Sequence, residues 1–189
     1  MIDLFFDTET TGFAKKDLSG KDPKQCGLIQ LGMQVYDNRY PVFEMSTLIK
    51  CDKPIDPGAQ KAHGISADVV RRHGRNPKNI ADIFIGWVKI ADRIVAHNIK
   101  FDINIINLFL NSLDMPEDFT LGKETYCTMQ KSTDVCNIPG PYGKKWPKLI
   151  EAYKVLVDEN GFEGAHNALV DVNACAKIFY ALEDNDLLV

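Results

Sequence analysis

The run Phe5-Phe6-Asp7-Thr8-Glu9-Thr10-Thr11-Gly12 constrains this chain more than any other eight residues. Residues 2–6, apolar except for Asp3, read as a strand that ends in two carboxylates one residue apart. Successive strand side chains point to opposite faces, so Asp7 and Glu9 share one. Two acids side by side at the end of a buried strand repel each other and resist desolvation. Folding does not favour that pair without compensation, and the commonest compensation is a hard divalent cation held by oxygen ligands.

The rest of the chain fits an α/β protein. A polar, lysine-rich loop is expected over residues 14–25, then strands over 27–37 and 42–51, joined by the short polar turn at 38–41. These three strands are expected to form an antiparallel meander. Helical periodicity begins at 77–91, with Ile80, Phe84, Trp87, Val88 and Ala91 on one face and Pro77 near the start. Residues 93–96 read as a strand, 99–113 as a helix with Asn98 as its N-cap, and 125–129 as a fifth strand. The segment 132–145 holds Pro139, Gly140, Pro141 and Gly143 and reads as loop. Helices over 146–156 and 168–182 close the chain. Strands first, then strands alternating with helices, predict a mixed five-stranded sheet covered on both faces.

The length of 189 residues suits one domain, and the 45% hydrophobic and 25% charged composition is that of a soluble globular protein. No apolar run suits a membrane span and no secretory signal is evident, so the default expectation is a cytoplasmic protein without a membrane partner. The five cysteines are odd in number and lack C-x-x-C spacing, which argues against a disulfide framework or a zinc knuckle. A net charge of −4 argues against a broadly basic duplex-binding surface and leaves local electrostatic steering.

Two further acids complete a constellation. Asp102 follows His97-Asn98 in the first turn of a predicted helix, and Asp171 lies one turn into the last helix beside the apolar stripe Ala168, Val172, Cys175 and Phe179. Each taken alone also suits a surface acid favoured by the helix dipole. His166, five residues before Asp171, is placed to act as a general base.

Together these segments resemble the three motifs of the DEDD exonuclease superfamily, histidine subclass. This is the family of bacterial polymerase III proofreading subunits, ribonuclease T and oligoribonuclease. The first motif is Phe6-Asp7-Thr8-Glu9-Thr10-Thr11-Gly12. The second is Ala96-His97-Asn98 with Phe101-Asp102, and the third is His166-Asn167-Ala168-Leu169 with Asp171. Ala62-His63-Gly64-Ile65 resembles a subsidiary family segment, and His63 is left between a turn residue and a substrate neighbour. The resemblance implies a ribonuclease H-like fold over residues 1–189 as a single exonuclease domain. It implies that Asp7, Glu9 and Asp171 hold two divalent cations, Mg²⁺ first and Mn²⁺ as a substitute, with Asp102 contributing directly or through water. His166 would take the proton of the attacking water. Thr8, Thr10 and Thr11 would receive a 3′-terminal nucleotide, with Phe13 as wedge or stacking residue and His97, Asn98 and Phe101 lining the groove.

The segment Ile138-Pro139-Gly140-Pro141-Tyr142-Gly143-Lys144-Lys145-Trp146-Pro147 departs from most relatives and resembles small phage-type exonucleases. Tyr142, Lys144, Lys145 and Trp146 have the mixture that grips single-stranded backbone and bases, although a solvated loop with Trp146 in the core is the alternative. The expected function is 3′→5′ hydrolysis of single-stranded DNA or frayed primer ends, releasing nucleoside 5′-monophosphates. The chain is expected to lack a long polymerase-docking tail, so a polymerase partner would meet its globular surface. The competing expectations are an exoribonuclease that trims RNA and a catalytically silent module that binds nucleic acid or a polymerase.

Overall fold

The computed structural model describes residues 1–189 apart from Glu117, His166 and Val189. In chain order the elements are β1 (Ile2–Thr10), β2 (Leu28–Asp37), β3 (Tyr40–Leu48), α1 (Pro57–His63), α2 (Ala67–His73), α3 (Pro77–Ile90), β4 (Arg93–Ala96), α4 (Ile99–Ser112), β5 (Glu124–Cys127), α5 (Thr128–Lys131), α6 (Thr133–Cys136), β6 (Pro139–Gly140), β7 (Gly143–Lys144), α7 (Leu149–Leu156) and α8 (Ala168–Asp184). The main sheet has the order β3-β2-β1-β4-β5, with β1 to β3 antiparallel and β4 and β5 parallel to β1. This is the mixed, helix-covered sheet that the sequence predicts. No described helix is long and apolar enough to cross a membrane.

Strand alternation divides the interior into two layers. Leu4 and Phe6 of β1, with Ile94 and Ala96 of β4, pack against α3 and α4 through Phe84, Ile105 and Ile106. Phe5 and Val95 face the other way and pack on Val172, Cys175 and Phe179 of α8. The α8 stripe read from the sequence is therefore its buried face. At the far end of β1, buried Asp3 accepts hydrogen bonds from Arg93 Nε (2.5 Å) and a second Arg93 nitrogen (2.8 Å), and from the Tyr180 hydroxyl (2.9 Å). Arg93 also pairs with Glu183, so the C-terminal half of α8 is tied to β1 and β4. Removing one partner of such a buried pair costs about 3–5 kcal/mol.

The structure differs from the sequence expectations in several places. The strand expected over 125–129 ends at Cys127, where α5 begins, and the last-but-one long helix starts at Leu149 instead of 146. β1 does not stop at Phe6; it runs to Thr10 because β2 pairs with it through Glu9↔Gln30 and Thr10↔Leu28, so both acids lie within the strand. Residues 57–63 and 67–73, unassigned from sequence, are helices α1 and α2. The segment 132–145 is not all loop: it holds α6 and the β6–β7 hairpin. Its Pro-Gly-Pro-Tyr-Gly run breaks longer elements yet also closes a short hairpin, with Gly143 at φ +118°. Asn98 stands at the N-cap of α4, but its backbone is left-handed and its side chain makes no capping hydrogen bond.

One glycine sets the spacing of the layers. Gly32 on β2 lies opposite Asp7, and a Cβ there would fall 2.6 Å from the Ala168 backbone at the start of α8. Only a residue without a side chain lets α8 approach so closely. Gly32→Ala is expected to destabilise the fold by about 1–3 kcal/mol, the usual range for overpacking, and to weaken divalent-cation binding because it displaces the turn that carries Asp171. Thermal unfolding together with a Mn²⁺ titration checks this; unchanged melting and affinity would show that the contact is not limiting.

Candidate active site

Three carboxylates converge where β1 meets the start of α8. Asp7 and Glu9 project from the α8 face of β1, and Asp171 lies in the first turn of α8, buried at 8% exposure. One oxygen from each of the three lies within 4.8 Å of the others. Helix α8 reaches this position with Asn167 at its N-cap, whose side chain accepts from the Leu169 backbone N–H at 3.2 Å. The spacing and the all-oxygen donor set fit hard divalent cations. The fourth acid, Asp102, comes from the opposite face. Its carboxylate accepts a 2.7 Å hydrogen bond from the Thr8 hydroxyl, as strand alternation requires, since Thr8 points to the α4 side between the two acids.

The electrostatics favour a positive charge at this point. Burial, reinforced by Asp171, pushes the Asp7 carboxyl up to about 7. Burial, with Asp7 and Asp171 as neighbours, pushes Glu9 up to about 8. Burial and the proximity of Asp7 also raise Asp102 well above the carboxylate range. Proximity of like charges and removal from water both disfavour the ionised forms, and a cation reverses both effects.

The threonines of the first motif have internal roles. All three are buried. Thr8 holds Asp102, the Thr10 hydroxyl donates to the Gly12 carbonyl at 2.7 Å, and the Thr11 hydroxyl accepts from the Gly27 N–H at 2.9 Å. His97, expected in the groove, has both ring nitrogens engaged by protein. Nε2 donates to the Pro147 carbonyl at 3.1 Å and Nδ1 accepts from the Thr128 hydroxyl at 2.9 Å. Burial lowers its pKa to about 4, so it stays neutral, bracing the segment after β7 against the second motif. Asn98 is exposed at the start of α4.

Beside Glu9 lies a largely apolar cavity of about 390 Å³, walled by Thr10, Phe13, Ala59, Ala62, His63 and Phe101. Phe13 and Phe101 were expected near substrate and both line it. Helix α1 supplies a wall that sequence reading missed, although Pro57 at its first turn and Gly64 in a left-handed C-cap (φ 73°) are its start and stop signals. His63 is fixed there: its Nδ1 accepts the Ile65 N–H at 3.0 Å, so Nε2 carries the proton directed at the Thr10 carbonyl, 3.2 Å away. Tyr142 and Trp146 are exposed, at 104% and 62%, so Trp146 is not a core residue. The two lysines between them are paired, Lys144 with Asp134 (2.8 Å) and Lys145 with Glu151 (2.6 Å). His166 lies outside the described residues.

A pH dependence follows from the raised acids. In the cation-free folded protein Asp7 and Glu9 keep their protons to about pH 7 and 8, whereas an unfolded chain releases them near pH 4. The folded state binds more protons across that window, so its stability falls as pH rises through it. In chelator, the wild-type melting temperature is expected to drop between about pH 5 and pH 8 more steeply than that of Asp7→Asn, and excess Mg²⁺ or Mn²⁺ should remove the difference. Parallel profiles for the two proteins would contradict the assignment.

Comparison with known proteins gives the family and the fold. The exonuclease family (RNase_T) matches residues 4–179. DNA polymerase III subunit epsilon of Buchnera aphidicola subsp. Baizongia pistaciae is 26% identical over 93% of this chain and 68% of its own length. The subunit of the same name from Haemophilus influenzae is 24% identical over 93% of this chain and 65% of its own. The uncharacterized exonuclease CP81 of Escherichia phage 186 is 26% identical over 95% of this chain and 87% of its own. Among solved structures, E. coli exonuclease I in complex with a dA16 oligonucleotide superposes with a TM-score of 0.77 at 19% identity. That match covers 99% of this chain and 42% of exonuclease I, so the chain spans about two thirds of the polymerase subunits and less than half of exonuclease I. The fold is the ribonuclease H-like one. With its family segment covering nearly the whole sheet and all four acids, the chain belongs to the exonuclease family.

Proposed function

We propose that residues 1–189 act as one cation-dependent 3′→5′ exonuclease domain that removes nucleoside 5′-monophosphates from DNA ends. The observation that carries this is the convergence of Asp7, Glu9 and Asp171 within 4.8 Å beside an apolar cavity open to a terminal nucleotide. Asp7, Glu9 and Asp171 would hold the cations, with Asp102, held by the Thr8 hydroxyl, contributing directly or through water. When bound, the cations supply positive charge that offsets the charge gained by the attacking and leaving oxygens of the phosphodiester. Mg²⁺ suits a few carboxylates with waters and phosphate oxygens, and Mn²⁺ is the natural substitute.

The chain's own groups do the rest. Phe13 and Phe101 offer aromatic faces on which a terminal base can stack without its sequence being read, a contact worth about 1–3 kcal/mol per base. His166, by its place in the third motif, accepts the proton of the attacking water. Water bonds to phosphorus, the bond from phosphorus to the 3′-oxygen of the preceding nucleotide breaks, and a 5′-monophosphate leaves. Tyr142 and Trp146, both exposed, would meet the strand further from its end, as would exposed Asn98 at the start of α4. DNA is favoured as substrate because the curated relatives include DNA polymerase III epsilon subunits and the superposed exonuclease I is bound to a DNA oligonucleotide. A polymerase partner is inferred from the same subunits.

With 5′-labelled DNA, RNA and 3′-blocked DNA as substrates, Mg²⁺ should support stepwise shortening of unblocked DNA from its 3′ end. The reaction should stop in chelator and in Asp7→Ala. His166→Ala should turn over at least about 10²-fold more slowly while still binding Mn²⁺. Failure to cut any of these polymers with either cation would defeat the proposal, and faster shortening of RNA would reassign the substrate.

A further inference from the structure

A second cavity lies on the other side of Phe13. It measures about 240 Å³, and its walls include Thr11, Lys15, Lys24 and Lys53. Gly12, Phe13 and Asp56 line both cavities, so Phe13, 86% exposed, rises from the ridge that separates them. The two differ in chemistry: the cavity beside Glu9 is walled largely by alanine and aromatic side chains, and the second by three lysines beside the one shared carboxylate, Asp56.

The loop that forms the second cavity is built, not slack. Gln25 is buried at 2% exposure, and its amide donates to the carbonyls of Lys15 (2.8 Å) and Leu18 (2.7 Å). Its oxygen accepts from the N–H groups of Lys15 and Cys26, both at 2.9 Å. Lys53 Nζ donates to the carbonyls of Gly20 and Asp22 at 3.1 Å and of Cys26 at 3.3 Å. Gly20 in turn docks on α4, where its N–H meets Asn111 Oδ1 at 2.9 Å. The half-buried Lys53 is thus engaged by the loop backbone, whereas Lys15 and Lys24 are exposed and form no ion pair among the described residues.

We propose that the lysine-lined cavity receives the backbone of the complementary strand at a paired 3′ end, with Phe13 standing between the two strands. The assignment rests on the exonuclease reading above and extends it to the substrate's second strand. An apolar pocket suits a base, and exposed ammonium groups suit phosphate. A strand whose end lies beside Glu9 has no need to cross the Phe13 ridge, but a duplex end presents two chains that part at that point. On a protein of net charge −4, two exposed lysines without an ion-pair partner, which with Lys53 outnumber the Asp56 carboxylate in the same wall, make a local place where a second polyanion gains attraction.

The test uses the full chain with one 5′-labelled oligonucleotide, either alone or annealed to a longer complement that leaves its 3′ end recessed. The double variant Lys15→Ala, Lys24→Ala should lower kcat/KM on the annealed DNA about tenfold and reduce the salt slope by about two. Cleavage of the lone strand should stay within about twofold of wild type. Equal losses on both substrates would assign the cavity to the cleaved strand, and no loss on either would remove it from DNA binding; each outcome overturns the proposal. Fluorescence anisotropy of the same two DNAs in chelator separates this question from catalysis. A wild type that cuts neither DNA defeats the exonuclease reading. The cavity assignment is then decided by whether the double variant loses affinity for the annealed DNA alone.

Discussion

The site depends on an unfavourable contact that the fold enforces: three carboxylates held together where β1 meets the N-terminal turn of α8. Nothing local makes Asp7, Glu9 and Asp171 attractive neighbours. They are kept there by packing that lies elsewhere, in the α8 stripe seated on Phe5 and Val95 and in the Asp3–Arg93–Glu183 ties at the far end of the same helix. Gly32 then permits the last approach, because a side chain at that point would meet the backbone of Ala168. The hydrophobic layer and the buried ion pair thus hold the site in a geometry that protonation or a bound cation relieves.

Strand alternation explains how one short run serves both faces of the sheet. Asp7 and Glu9 face α8, while Thr8, between them, faces α4 and holds Asp102. The parallel neighbour β4 pairs with β1 only at Asp3, Leu4 and Phe5. Beyond Phe5 that edge of β1 is left to the start of α4, which is how a fourth acid reaches the motif. The site therefore lies on the C-terminal half of β1, beyond the carboxyl end of β4, near where open α/β sheets commonly bind ligands.

Much of this was legible in the sequence. The two acids of β1, the short strand Arg93–Ala96 and the apolar stripe of α8 are strong patterns, because long-range packing and local periodicity agree there. The cavities were less legible. Helix α1 has seven residues, too few for periodicity to register, and its Pro57 and Gly64 signals flank residues that are not buried. The loop at 14–25 reads as polar and featureless because one buried side chain, Gln25, organises it through backbone groups that leave no side-chain pattern. The threonines and His97 carried the right motif letters, but motif letters do not say whether a hydroxyl or a ring nitrogen faces substrate or protein. Their partners, Gly27, Thr128 and Pro147, are distant in sequence, so only the folded chain reveals them.

The most direct measurement is anomalous X-ray diffraction from crystals of the full chain soaked in Mn²⁺. The account predicts anomalous density between the carboxylates of Asp7, Glu9 and Asp171, lost in crystals of Asp171→Asn. Mn²⁺ bound elsewhere with those three carboxylates bare, or absent at concentrations that support DNA cleavage, would contradict it.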